Sequence, residues 1–185
     1  MKINTSYLII FSLFFFRCAA QTSSFGKINT KVNKEYIASR KSFTGKLNPD
    51  ENKEIRKMIT NELKAEVPNN KSILINYYQF GSNCLEYGFS KKDAGQVIDN
   101  CNRISSRISK ENNTNDFFVY SKNVSNKDII EDRKTFILDS GFFARNIFTL
   151  QENCRAFFIL KPNGEYLKNY GSDYYSEVEK FLKEK

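Results

Sequence analysis

Cysteines are the residues of this chain that could carry chemistry, and their spacing limits what that chemistry can be. Cys18, Cys84, Cys101 and Cys154 stand far apart, and no two are separated by two residues as in zinc ribbons and dithiol motifs. The chain has no histidine, which excludes Ser-His and Cys-His nucleophile pairs and every zinc site built on imidazole. No metal and no cofactor is therefore expected. A thiol becomes a nucleophile when a helix N-terminus lowers its pKa. Asn83 as a cap, with Glu86 three residues on, would place Cys84 there, but Gly88 interrupts that helix. Ser90-Lys91-Lys92-Asp93 resembles a capping box and is the stronger helix start. Three readings of Cys84 stay open: a structural disulfide, an inert thiol and a reactive one. Asp and Glu are scattered, and no pair of carboxylates stands out for acid-base work.

Residues 1–20 have the pattern of an export signal, with Lys2 early, an apolar run over Tyr7–Phe16 and small residues at Ala19-Ala20. The run is shorter than the roughly 20 residues that span a bilayer. Cleavage after Ala20 would leave Gln21 first. The rival reading ends a lipoprotein signal at residue 17 and makes Cys18 a lipid anchor, although Arg17 is a poor residue to precede it. Either way the protein is expected to be exported: periplasmic, secreted or lipid-anchored at a bacterial envelope. Without Lys2 and Arg17 the net charge falls from +8 to +6. Lys and Arg are dispersed and often neighbour acids, so nucleic acid is not an expected partner; a protein or an anionic envelope surface is. After export three cysteines remain, Cys84, Cys101 and Cys154, which implies one free thiol or an intermolecular bond.

The elements that must position these residues can be read from punctuation and period. Residues 21–47 are polar and read as an N-terminal extension outside the core, with one short ordered piece around 34–40. Residues 48–185 form the expected domain. Asn48 and Pro49 open a helix carrying Ile55, Met58, Ile59 and Leu63, which ends by Pro68. Ser72–Phe80 is a contiguous β-forming run and reads as a central strand with a parallel neighbour. Ala94, Val97, Ile98, Cys101, Ile104 and Ile108 form one stripe of a helix running to about Lys110, where Cys101 reads as a buried small hydrophobe. A turn at 112–115 leads to a strand over 117–120, and strand, helix and strand imply a right-handed parallel crossover. Residues 128–148 fit two short helices broken near Gly141, or a helix followed by an edge strand, and the first is taken as the expectation. Ala156–Leu160, the turn Pro162-Asn163-Gly164 and Glu165–Tyr170 read as a hairpin, and 173–185 as a final helix facing inward through Tyr174, Val178, Phe181 and Leu182.

That order resembles thioredoxin-like proteins over roughly residues 70–185. Ser72–Cys84 (SILINYYQFGSNC) resembles the family's strand leading to its active-site cysteines, and Ala156–Gly171 (AFFILKPNGEYLKNYG) the strand, turn, strand and glycine of its exported members. The resemblance implies an α/β three-layer sandwich, a mixed central sheet with helices on both faces. It also locates the departures. Ser82 and Leu85 stand where the two active-site cysteines would be, and about Arg155 where the family has a cis-proline. Ordinary disulfide exchange is therefore not expected.

The same resemblance sets the loops of Cys84 and Cys154 side by side, which makes them the expected bonded pair and leaves Cys101 enclosed under the sheet. The function expected is an exported accessory module that binds a protein or envelope partner. The alternative is an atypical thiol-disulfide oxidoreductase with Cys84 and Cys154 as catalytic residues. Tyr77, Tyr78, Phe80, Tyr87 and Phe89 could supply an apolar face or be core; Tyr78, Phe80, Tyr87 and Arg155 are the candidate binding residues. Asn112-Asn113-Thr114 and Asn123-Val124-Ser125 match the N-glycosylation pattern, which means nothing in a bacterial host.

Overall fold

The computed structural model describes residues 27–172 and 174–184. The segments expected as a signal peptide over 1–20, as a lipid site at Cys18 and as the start of the extension lie outside the described residues. Twelve elements follow: α1 (Lys34–Ser39), β1 (Lys41–Lys46), α2 (Pro49–Leu63), β2 (Ser72–Tyr78), α3 (Lys91–Glu111), β3 (Thr114–Tyr120), α4 (Lys127–Glu131), β4 (Phe136–Leu138), α5 (Phe142–Asn146), β5 (Arg155–Leu160), β6 (Glu165–Tyr170) and α6 (Tyr175–Lys183).

One sheet holds all six strands in the order β1-β6-β5-β2-β3-β4. β2 runs parallel to β3 through the α3 crossover and antiparallel to β5, while β5 and β6 form the antiparallel hairpin. This order and these directions are those of a thioredoxin-like sheet. Every residue of β2 is buried, because the strand is covered on both faces. Ile73, Ile75 and Tyr77 point into a core with Ile59 and Leu63 of α2 and Phe143 of α5. Leu74 points the other way, toward Ile108 of α3 and Val178 of α6, and Tyr78 packs with Ala94 and Ile98 of α3 and Ile130 of α4. A strand side chain alternates faces with period two, so this one strand anchors both helical layers.

Polar contacts pin the layers together. Asn76 on β2 donates to the Ser105 hydroxyl of α3 at 2.9 Å and accepts from the Tyr174 hydroxyl at 2.9 Å. All three are buried. On the opposite face Tyr77 donates to the Asp139 carboxylate at 2.8 Å, and the same carboxylate accepts from the backbone N–H groups of Gly141, Phe143 and Ala144. α2 opens with the capping box of Asn48 and Glu51, each side chain bonded to the other's backbone N–H.

The structure departs from the sequence reading in five places. The segment expected outside the core supplies α1, with Tyr36 buried, and β1, which pairs antiparallel with β6 from Lys41↔Tyr170 to Lys46↔Glu165. β2 ends at Tyr78, leaving Phe80 beyond the strand. β3 begins earlier than expected, at Thr114, because its register with β2 starts at Ser72↔Thr114. The region 128–148 contains both alternatives in turn, since β4 joins β3 in parallel between the helices α4 and α5. The final helix is shorter than 173–185, and Tyr174 stands before its first turn.

Candidate functional site

The loops that follow β2 and precede β5 meet at one end of the sheet. Their approach depends on Gly81: a Cβ there would fall 2.3 Å from the Asn153 carbonyl carbon, so any side chain would force the loops apart. Asn83 pairs with Asn153 as an isolated parallel bridge, and its backbone N–H donates to the Glu152 carbonyl at 2.8 Å. Cys84 and Cys154 are thereby brought together as a disulfide with a Cα separation of 5.2 Å, inside the range of about 4.4–6.8 Å that bridging needs.

A third segment lies against the same loops. Asn29 pairs with Asn83, donating its backbone N–H to the Ser82 carbonyl and accepting from the Cys84 N–H at 2.9 Å. Its side chain also donates to the Asn83 side chain at 2.8 Å. Farther along, Asn153 donates its side-chain amide to both the carbonyl and the hydroxyl of Ser39. Together these contacts leave Cys84 2% and Cys154 4% exposed.

Beside the disulfide lies a buried ion pair. Arg155, 1% exposed, donates from Nη2 to the Glu86 carboxylate at 2.8 Å, and its guanidinium sits 3.7 Å above the Tyr78 ring. Its Nε and Nη1, and the Tyr78 hydroxyl, have no partner among the described residues. Burial opposes the Arg155 charge most strongly, but the Glu86 carboxylate together with Tyr78, Cys101 and Tyr174 outweighs it and holds the pKa above the ordinary value. For Tyr78 burial dominates and pushes the phenol up, with Arg155 pulling it partly back.

Cys84 does not open a capped α-helix. Its N–H and carbonyl are used in pairing and in a single turn of 3-10 helix, Leu85–Gly88, which has no side-chain cap. α3 begins only at Lys91, capped by Ser90, so Cys84 does not occupy its N-terminus. The cap imagined from Asn83 and Glu86 does not form, because Asn83 bonds Asn29 and the Glu152 carbonyl while Glu86 is taken by Arg155. Cys101 is a free thiol and partly exposed rather than enclosed. Its backbone carbonyl accepts from the Tyr175 hydroxyl of α6.

The candidate binding residues do not share one surface. Tyr78 and Arg155 are buried at the disulfide, whereas Tyr87 is 54% exposed. Phe80 lines a cleft of about 610 Å³ with Tyr77, Gln79, Lys122, Asp139 and Arg145. Sequence reasoning passed over Asn29, Asp139 and the pairing of Glu86. Asp139 followed by Ser-Gly after the apolar run Phe136–Leu138 is a legible cap signal; no local pattern marks the other two. Among the described residues there is no cluster of side chains that could hold a metal ion, and no helix is long and apolar enough to cross a membrane.

No protein-family model and no curated protein matches the chain. Among solved structures it is similar to the thioredoxin domain of a thiol-disulfide oxidoreductase from Bacteroides vulgatus, at 15% identity over 77% of this chain and 94% of that one, with a TM-score of 0.39. The strand order and directions define the chain as an α/β protein of thioredoxin-like fold. The chain carries a Cys84–Cys154 disulfide, and no two of its cysteines are separated by two residues.

Proposed function

We propose that this protein is an exported, non-enzymatic binding module in which the Cys84–Cys154 disulfide is structural. The observation that carries the reading is the closure of that bond beneath the Asn29 segment, with both cysteines nearly inaccessible. A disulfide that a substrate thiol cannot reach does not exchange. Export is supported by the apolar run before Ala20 and by the bond itself, which persists in oxidising compartments. The partner is a protein or an envelope surface, met through Phe80 and Tyr87 rather than through the buried Tyr78 and Arg155. In an insulin-reduction assay with dithiothreitol the protein should give no acceleration, and turnover well above background would sink the proposal. Mass spectrometry of the mature N-terminus separates a chain starting at Gln21 from one lipidated at Cys18.

One observation favours the alternative, an oxidoreductase using Cys84 as nucleophile and Cys154 as resolving residue. Arg155 and both cysteines border the same small cavity, and a guanidinium beside a sulfur stabilises its thiolate. Equilibration with a glutathione redox series discriminates: a structural bond resists reduction, while a catalytic one titrates in the range of the glutathione couple.

A further inference from the structure

A second cleft lies at the opposite end of the sheet from the disulfide. It is bounded by one side of α2, by Val67 and Asn69 ahead of β2, and by the Pro162-Asn163 turn between β5 and β6, and its volume is about 660 Å³. That is the size of a small-molecule site. Lys53, Arg56 and Lys57 enter its lining from successive turns of α2, and among the described residues none that line it is acidic. Lys53 and Lys57 are exposed and make no ion pair among the described residues.

Arg56 distinguishes this face from an ordinary solvated one. It is 7% exposed, and its Nη2 donates to two neutral acceptors, the carbonyls of Pro68 at 3.0 Å and Lys71 at 2.8 Å. Nη1 has no partner among the described residues. The charge is buried without an anion to offset it, and burial accordingly lowers the Arg56 pKa. A buried guanidinium is normally paired. Beside it Asn52, also buried, donates its amide to the Pro162 carbonyl at 2.9 Å, while its Oδ1 has no partner among the described residues. The α2 N-terminus is not the attraction, because Asn48 and Glu51 already cap it.

We infer that this cleft binds a phosphate ester of a polyol, the phosphate held by Lys53, Arg56 and Lys57 and a hydroxyl donated to Asn52. Three convergent cations match the charge of about −1.5 to −2 on a phosphate monoester at neutral pH better than a single carboxylate, and the guanidinium fork suits its oxygens. Asn52 Oδ1 requires a donor, which a sulfate dianion lacks, which hydrogen phosphate offers only through its single P–OH, and which a polyol carries in addition to its phosphate. Asn69, Asn163 and Thr60, also in the lining, can exchange hydrogen bonds with further hydroxyls. The inference is independent of the disulfide.

Isothermal titration of the full chain with glycerol 3-phosphate at low ionic strength tests it. The titration should saturate, and the Lys53→Gln, Lys57→Gln double variant, which touches only exposed side chains, should weaken binding by about tenfold or more. High salt should do the same. Arg56→Lys, checked by its melting temperature, should keep the charge but lose the fork and bind more weakly. Co-sedimentation with vesicles carrying phosphatidylinositol 4-phosphate, whose headgroup is a polyol with a phosphate monoester, against phosphatidylcholine ones, separates the two sources of the group. Capture without a response to the free ester assigns a lipid headgroup, and the reverse assigns a soluble ester. No saturable response to either, a response unchanged in the double variant, or equal binding of glycerol overturns the inference. None of these outcomes bears on the insulin assay, so the two proposals fail separately.

Discussion

Arg155 is a buried charge that the largely buried Glu86 carboxylate offsets. The Nη2–carboxylate contact is 2.8 Å and the Arg155 side chain is closed off from water. Replacing Glu86 with glutamine would therefore leave the cation uncompensated, and urea unfolding should show a loss of about 3–5 kcal/mol. The neighbouring disulfide acts through a different state of the chain. It joins residues 70 apart, so the Cys84→Ala, Cys154→Ala variant should lose about 2–4 kcal/mol in the same measurement, much of it by freeing the unfolded ensemble. Non-reducing peptide mapping should find that one link and a thiol at Cys101. The pairing of the cysteines could be anticipated because the resemblance set their loops together. The pairing of Arg155 could not, because Glu86 lies 69 residues away and nothing local to either residue announces the other.

At the scale of elements, the hairpin and the central strand were legible and the first strand was not. β5 and β6 announce themselves by an apolar run, a Pro-Asn-Gly turn and alternation. Gly164 sits at φ +86° with its N–H bonded to the Lys161 carbonyl, a conformation that side chains disfavour. β1, by contrast, is mostly exposed and has no alternation to read, since it occupies an edge and draws its order from backbone pairing with β6. The segment ahead of it is equally silent, and yet Asn29 seals the cysteine loops. Deleting residues 27–33 should therefore expose the bond. Alkylation trapping should then report reduction by dithiothreitol about tenfold faster or more, as expected when a local opening step is no longer needed. An unchanged rate would show that the segment does not shield it. The cap of α3 and the stripe behind it were equally readable, because both are local. What encloses the disulfide is not local, and this is why the site was only partly visible.

For the molecule as a whole, the tyrosines set the alkaline limit. Burial, helped by the Asp139 hydrogen bond, raises the Tyr77 phenol well above its ordinary value of 10.0, and burial also raises Tyr78 and Tyr174. Above pH about 10 the unfolded chain releases these protons first, so the folded state binds more of them and stability falls. The contribution is fully present below that pH and is lost as pH rises through the folded values. The share of ionised-tyrosine absorbance that comes from these buried residues should consequently rise in one cooperative step that coincides with loss of far-UV circular dichroism, and their separate gradual titration would contradict the account.

The antiparallel ladder between β1 and β6 also fixes a timetable. Residues 41–46 leave the ribosome long before their partners at 165–170 have been made. Until then β1 has no neighbour and β5 lacks one of its two. Contacts so distant along the chain close slowly, because their loop entropy must be met before they contribute. The sheet thus stays unfinished until residues 165–170 have been made, and a polypeptide in that condition can still be threaded through a membrane channel.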